Sequence, residues 1–328
     1  MLKVKLTTPV LAWTALLANG LVILQGAVVR ATGSGAGCGS HWPSCNGEFI
    51  PLGHSLETMI EFSHRLLSLS VLVLGAWLVW RAFLSRQEKP GLWAFALAAF
   101  GFLIMEALLG AATVLLGLTG ENASFGRGIM VASHLVNSLL LVGMLALTVV
   151  YARDDAPAFP LKVRSQPLLA TVLAVGVFSM LFLMFSGGIA AMGNTMFPSA
   201  SLREGIAADF DPNSHPIIRL RILHPLVALT VGFYLFASLG LGWWMKPVQQ
   251  AKRLVQWLFG VYAAQVVIGT ANLALLAPIV LQLLHLSTAV LAFALLSAIS
   301  AYTLGYPVSP VASPVPGAVS LPRPEMEA

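Results

Sequence analysis

Four histidines stand out in a chain that is otherwise mostly apolar. His64, His134, His224 and His285 each fall near the start of a long hydrophobic run. Imidazole is the commonest metal ligand and titrates near neutral pH. Ionisable residues inside a membrane span are costly enough to be read first as functional. For any one of the four, the bland alternative is a hydrogen-bonded core histidine; two in each half of the sequence weigh against it. Two imidazoles facing each other across a four-helix bundle suit bis-histidine ligation of a haem iron. A zinc or copper ion would want a third or fourth ligand at the same level. The two cysteines, Cys38 and Cys45, lie in a loop and cannot easily supply it. His41, His54 and His215 also read as loop residues, exposed to solvent.

The residues beside these histidines differ between the halves. Glu61 lies three positions before His64 and shares its helix face; a carboxylate there can move protons during chemistry. An i,i+4 ion pair with Arg65 is the simpler reading. Three positions before His224 stands Arg221, whose guanidinium suits a haem propionate or an interfacial anchor. The contrast suggests one catalytic bundle and one cofactor bundle. Glu106 is a further buried acid with Gln265 as its counterpart, and bridging helices by hydrogen bonds is role enough for it. Cys38 and Cys45 are separated by six residues rich in Gly, Ser and Pro. An oxidising exterior permits a disulfide there and Gly and Pro allow the turn; a reactive or metal-binding pair is the alternative.

The elements that carry these residues follow from composition. The chain has 328 residues, 18 Lys+Arg and 13 Asp+Glu; charged residues make up 9% and apolar ones 58%. Mean hydropathy is +0.85. Soluble domains carry about 25% charged residues, so this chain cannot cover a core of that size with a water-facing surface. A soluble enzyme, a nucleic-acid binder and a disordered chain are excluded. The net charge of +5 fits cytoplasmic loops of a membrane protein rather than a nucleic-acid partner. Eight apolar stretches are long enough to span a bilayer as helices: Leu11–Val29, Leu66–Leu84, Leu92–Leu118, Gly128–Tyr151, Leu168–Met192, Ile222–Met245, Leu254–Leu276 and Ile279–Leu304. They lack the alternation of barrel strands, and an all-α membrane protein is expected. The first stretch reads as a retained helix rather than a signal peptide, and the absence of a transit-like extension favours a bacterial protein.

With the N-terminus inside, twelve lysines and arginines fall on the inner face. Six fall outside: Arg30, Arg65, Arg127, Arg203, Arg219 and Arg221. This bias puts both termini in the cytoplasm and the long loops Ala31–Ile60 and Gly193–Arg219 outside. The even-numbered stretches then run inward, and the four histidines share one level near the outer leaflet. The chain also repeats itself. Gly26-Ala27-Val28 echoes Gly187-Gly188-Ile189, His64 echoes His224, Leu109-Gly110 echoes Ile268-Gly269, and His134-Leu135 echoes His285-Leu286, at offsets of about 150–161 residues. Two parallel four-helix bundles are expected, residues 1–160 and 161–305. The Pro-rich segment 306–328 is expected to be a disordered cytoplasmic tail.

With these residues in view, the chain resembles the heme A synthase family of bacterial and mitochondrial membranes, over roughly residues 10–305. The most specific parts are Gly26-Ala27-Val28-Val29-Arg30-Ala31-Thr32-Gly33-Ser34-Gly35, the Cys38–Cys45 segment with Trp42-Pro43, and Glu61-Phe62-Ser63-His64-Arg65. His134, His224-Pro225 and His285 match the remaining family histidines. The resemblance implies an oxidoreductase of the bacterial cell membrane that converts a ring methyl of heme O to the formyl group of heme A for terminal oxidase assembly. It implies that Glu61 is the essential carboxylate, that His64 and His134 flank the substrate haem, and that His224 and His285 ligate a resident haem b. Cys38 and Cys45 match a disulfide-forming loop pair. Heme O synthase and cytochrome oxidase assembly factors are the implied partners, with an electron acceptor that the residues do not name. The chain departs from the pattern in lacking a second cysteine pair in the other long loop, and in Glu106, where Gln is expected. Two rival readings share parts of this pattern: a bis-histidine cytochrome that only transfers electrons, and a transporter built on parallel repeats.

Overall fold

The computed structural model describes residues 7–51, 55–245 and 248–306. The expectations placed on Lys3, Lys5, His54, Lys246, Arg323 and the tail 307–328 fall outside the described residues. Ten α-helices and one 3-10 turn make up the fold, with no strand among the described residues. They are α1 (Thr8–Ala31), α2 (Leu56–Leu84), α3 (Pro90–Leu115), α4 (Phe125–Ala152), α5 (Pro167–Met196), α6 (Leu202–Phe210), α7 (Pro216–Leu220), α8 (Leu223–Met245), α9 (Gln249–Ala274) and α10 (Ile279–Gly305). Eight spans are long and apolar enough to cross a membrane, α7 and α8 together supplying one of them, Pro216–Gly242. Their outward faces carry large apolar residues such as Leu17, Phe178, Phe233 and Trp257, as lipid-facing surfaces do. The chain is a multi-pass membrane protein.

Local sequence explains where the helices start. Ser55 accepts the Thr58 N–H at 3.4 Å and caps α2. The helix therefore begins ten residues before the expected Leu66, and Glu61, His64 and Arg65 are all helical. Hydropathy misses this stretch because Glu57, Thr58, Glu61, Ser63, His64 and Arg65 interrupt its apolar residues. Ser124 caps α4 in the same way through the Arg127 N–H, and Pro90 and Pro167 occupy the first turns of α3 and α5. Pro225 explains the break before α8. It has no N–H to give the Arg221 carbonyl, which accepts from His224 N–H at 3.2 Å instead.

The ends of α3 and α9 match bond for bond. Leu116, Gly117 and Leu118 donate to the carbonyls of Ala112, Val114 and Thr113; Leu275, Leu276 and Ala277 donate to those of Ala271, Leu273 and Asn272. Gly117 has φ +63°, whereas at the second cap Leu276 and Ala277 adopt φ +60° and +58°. Left-handed backbone costs a side-chain-bearing residue about 1–2 kcal/mol.

Packing centres on α4. Of its apolar window 78% is buried, against 17–28% for the other spans, because α4 touches α1, α3, α5 and α10. One core cluster joins α1, α2, α3 and α4, with Leu11, Leu78, Leu92 and Leu145 among its members. A second joins α5, α8, α9 and α10 through Met180, Leu235, Leu258 and Phe293, with Leu139 of α4.

Candidate functional site

Each of the four helical histidines packs against a glycine of the preceding long helix. A Cβ added to Gly26 of α1 would lie 3.1 Å from His64 Cε1, and one on Gly110 of α3 would lie 3.7 Å from His134 Nε2. On Gly187 of α5 it would lie 2.9 Å from His224 Cε1, and on Gly269 of α9 2.7 Å from His285 Cε1. The glycine and histidine landmarks that recur in the sequence are thus contact partners. Any larger residue at Gly187 or Gly269 would fill the space that the imidazole uses.

In the second half, the His224 and His285 ring centres are 6.1 Å apart with planes at 85°. Two metal–nitrogen bonds of about 2 Å, plus about 1 Å from each nitrogen to its ring centre, span about 6 Å. The hydrogen bonds around His224 select a tautomer. Ser186 donates its hydroxyl proton to the Leu183 carbonyl at 2.7 Å, which leaves its oxygen to accept from His224 Nδ1–H at 3.1 Å. The lone pair then sits on Nε2, as metal-binding histidines with a hydrogen-bonded second nitrogen require. On His285, Nε2 is 3.2 Å from the Gln265 amide, a contact that ligation through Nε2 would have to open, while Nδ1 is buried without a partner. A buried orphan nitrogen costs about 1–3 kcal/mol. The spacing, the glycine seats and the donor chemistry fit a bis-histidine haem.

In the first half, His64 lies within charge-interaction range of His134 and Glu106, and its Nδ1 is buried without a partner. His134 Nδ1 is in close contact with Glu106 Oε2, and Glu106 Oε1 accepts from Asn137 Nδ2 at 2.9 Å. Glu106 therefore bridges α3 to α4, through both Asn137 and His134.

Glu61 faces the loop above α2. Its Oε2 accepts the Cys38 N–H at 2.9 Å and its Oε1 accepts from Arg65 at 2.5 Å, so the i,i+4 ion pair is present. Arg65 also donates to the His41 carbonyl at 2.7 Å and the Ser44 carbonyl at 2.6 Å. Cys38 and Cys45 are joined in a disulfide, and Gly37 lets the loop lie directly on the α2 backbone, where a Cβ would meet Glu57 at 2.5 Å. Glu61 and Arg65 thus clamp the disulfide loop over the His64 end of the bundle. A carboxylate offers about four acceptor sites, and these contacts use two.

Arg221 does the corresponding work for the second long loop. It donates to Asp209 of α6 at 2.8 Å and to Asn194 of α5 at 3.0 Å, so a propionate would have to share it with Asp209. His41 is exposed as expected. His215 is not: it is half-buried, accepts the Ile217 N–H at 3.3 Å and packs at a tilt against Phe197, because it caps α7.

Several partners were absent from the sequence reading. Ser186, Asn137 and Thr288 carry no motif and are found only through the histidines that they serve. Arg30 was legible only as one of the six outer-face cations. Its guanidinium donates to Thr195 of α5 at 2.5 Å, the Ala191 carbonyl at 3.2 Å and Gln282 of α10 at 2.5 Å, tying the first helix to the second half.

Comparison with known proteins shows the family of the chain. Over 279 residues the chain is 43% identical to a protoheme IX farnesyltransferase of Thermus thermophilus, covering 84% of this chain and 45% of that protein. Over 100 residues it is 47% identical to a heme A synthase of Bacillus cereus, covering 30% of this chain and 31% of that one. The matched stretches span less than half the length of these curated relatives. A sequence profile described as COX15-CtaA, cytochrome oxidase assembly protein, matches residues 9–297, nearly the whole run of helices that carries the four histidines. The chain belongs to the COX15-CtaA family of cytochrome oxidase assembly proteins.

Proposed function

We propose that this protein is a heme A synthase, an oxidoreductase of the bacterial plasma membrane that converts a ring methyl of heme O to the formyl group of heme A. The observation that carries the reading is the set of four histidines, each seated on a glycine in helices long enough to span a bilayer. Residues 1–160 act on the substrate haem, flanked by His64 and His134. Residues 161–305 hold haem b through His224 and His285, and both termini face the cytoplasm. The bound haem supplies the one-electron and oxygen chemistry that no side chain can provide.

The chain's own residues orient and protect. Ser186 keeps the His224 lone pair on Nε2. Oxidising a methyl group releases protons, and Glu61, on the His64 face of α2, keeps acceptor capacity for one of them beside its bonds to Cys38 and Arg65. The loop that it clamps limits water entry from that end. Arg221, shared with Asp209, is the propionate contact on the haem b side. The substrate arrives from a heme O synthase and the product passes to cytochrome oxidase assembly.

The Thermus relative's name raises prenyl transfer as a second reading. Handling a diphosphate through magnesium takes carboxylates that gather on the ion, and among the described residues no three His, Cys, Asp or Glu side chains are placed to hold a metal ion. Oxidation remains the better reading.

The deciding assay expresses the chain in a host that makes heme O but no heme A, followed by pigment extraction. Heme A is the expected product; haem-loaded protein that yields none points to an electron carrier instead.

A further inference from the structure

The surroundings of His134 and His285 match in position and differ in chemistry. Glu106 is four residues before the glycine seat Gly110, as Gln265 is four before Gly269. Asn137 follows His134 by three, as Thr288 follows His285 by three. In both places the α3 or α9 side chain touches the histidine and is steadied by the residue one turn further along the histidine's own helix. Glu106 contacts His134 Nδ1 and accepts from Asn137, and Asn137 also donates to the Phe102 carbonyl at 3.0 Å. Gln265 contacts His285 Nε2, and its Oε1 accepts from Thr288 Oγ1.

An ionised carboxylate has acceptors only, so the contact of Glu106 with His134 Nδ1 is favourable for the tautomer that carries its proton on Nδ1. The lone pair then lies on Nε2, the nitrogen beside Gly110. Hydrogen bonding from a ligand imidazole to a carboxylate fixes ring orientation and makes the imidazole a stronger electron donor. The amide of Gln265 is neutral and reaches the other ring nitrogen, so His285 receives no such push.

Resting on the reading that the first half takes up a haem, we propose that Glu106 is a positioning residue for His134. It fixes the Nδ1–H tautomer and makes His134 the more strongly donating axial ligand, lowering the reduction potential of a haem that His134 ligates. The carboxylate at Glu106 and the amide at Gln265 thus separate an oxidising half from a resident-cofactor half within one repeated frame.

The test is a spectroelectrochemical titration of the full-length, haem-loaded protein. Glu106→Gln keeps the shape and an acceptor oxygen but removes the charge. The midpoint of the haem lost on His134→Ala should move upward, while the midpoint of the haem lost on His285→Ala stays in place. Glu106→Asp keeps the charge but withdraws it from His134 Nδ1 by one methylene and should move the first midpoint upward by less, leaving the second alone; it keeps the idea open to refutation if Glu106→Gln does not fold. An unmoved first midpoint in Glu106→Gln, or in Glu106→Asp where Glu106→Gln does not fold, overturns the role of Glu106. A wild-type protein whose haem content is indifferent to both His64→Ala and His134→Ala overturns the reading beneath it, and with it the proposal.

Discussion

Replacing the four histidine-facing glycines by alanine gives a graded experiment. Carbon–carbon contacts relax to about 3.5 Å. Relieving the Cβ contacts would therefore push the ring by about 0.8 Å in Gly269→Ala, about 0.6 Å in Gly187→Ala and about 0.4 Å in Gly26→Ala, against no displacement in Gly110→Ala. Metal–ligand distances hold to about 0.2 Å, so the first three exceed what a bound iron tolerates and the last does not. Stability should follow a different balance. Alanine gains up to about 1 kcal/mol over glycine in a helix, while overpacking costs about 1–3 kcal/mol. Gly110→Ala should be neutral or stabilising, and Gly269→Ala should lose about 0–2 kcal/mol after the propensity gain. Haem per polypeptide, measured by absorbance after alkaline pyridine extraction, should fall in the order Gly269, Gly187, Gly26, Gly110. Thermal midpoints in detergent would report the stability side. Equal haem loss in Gly110→Ala and Gly269→Ala would refute the argument, as would full haem retention in Gly269→Ala.

Three further outcomes follow from contacts already described. Glu61→Gln keeps one acceptor oxygen for two donors, Cys38 N–H and Arg65, and should loosen the disulfide loop at a cost of about 1–3 kcal/mol. If Glu61 also handles protons, heme A formation should fall by about 10²-fold or more, and further than in Arg65→Gln at matched haem content; equal defects would reduce Glu61 to an ion-pair partner. The Cys38–Cys45 pair should resist an impermeant maleimide until a reductant is added, and immediate labelling of both thiols in intact cells would contradict the pairing. Leu276→Gly relieves a left-handed backbone and should raise stability by about 1 kcal/mol, read as a higher thermal midpoint with unchanged haem spectrum; a lower midpoint would show that the Leu276 side chain holds the cap by packing.

The eight spans and the four histidines were legible because each has a signal along the chain: apolar runs of bilayer length, and imidazoles recurring beside repeated glycines. The start of α2 was not legible from hydropathy. Polar residues interrupt its first turns, and their cover, the disulfide loop, comes from elsewhere in the sequence. The roles of Glu61 and Arg221 were only half legible, since spacing along a helix shows which residues share a face and not which loop atoms come down to meet them. His215 was misjudged for the same reason: Phe197, the ring it packs against, is eighteen residues away. Glu106 beside His134 needed the packing of α3 on α4, which no local pattern encodes.

Arg30 has a consequence for how the protein is made. Its guanidinium ends α1, yet its side-chain partners are Thr195 on α5 and Gln282 in the first turn of α10, more than 160 residues later in the chain. A cation held among apolar helices stays poorly solvated until its acceptors arrive. The α1 end therefore reaches its final arrangement only after α5 and α10 have also entered the bilayer. Assembly is then ordered by one side chain: with α5 in place Arg30 has Ala191 and Thr195, and with α10 it gains Gln282, so the last of these contacts closes the two halves on each other.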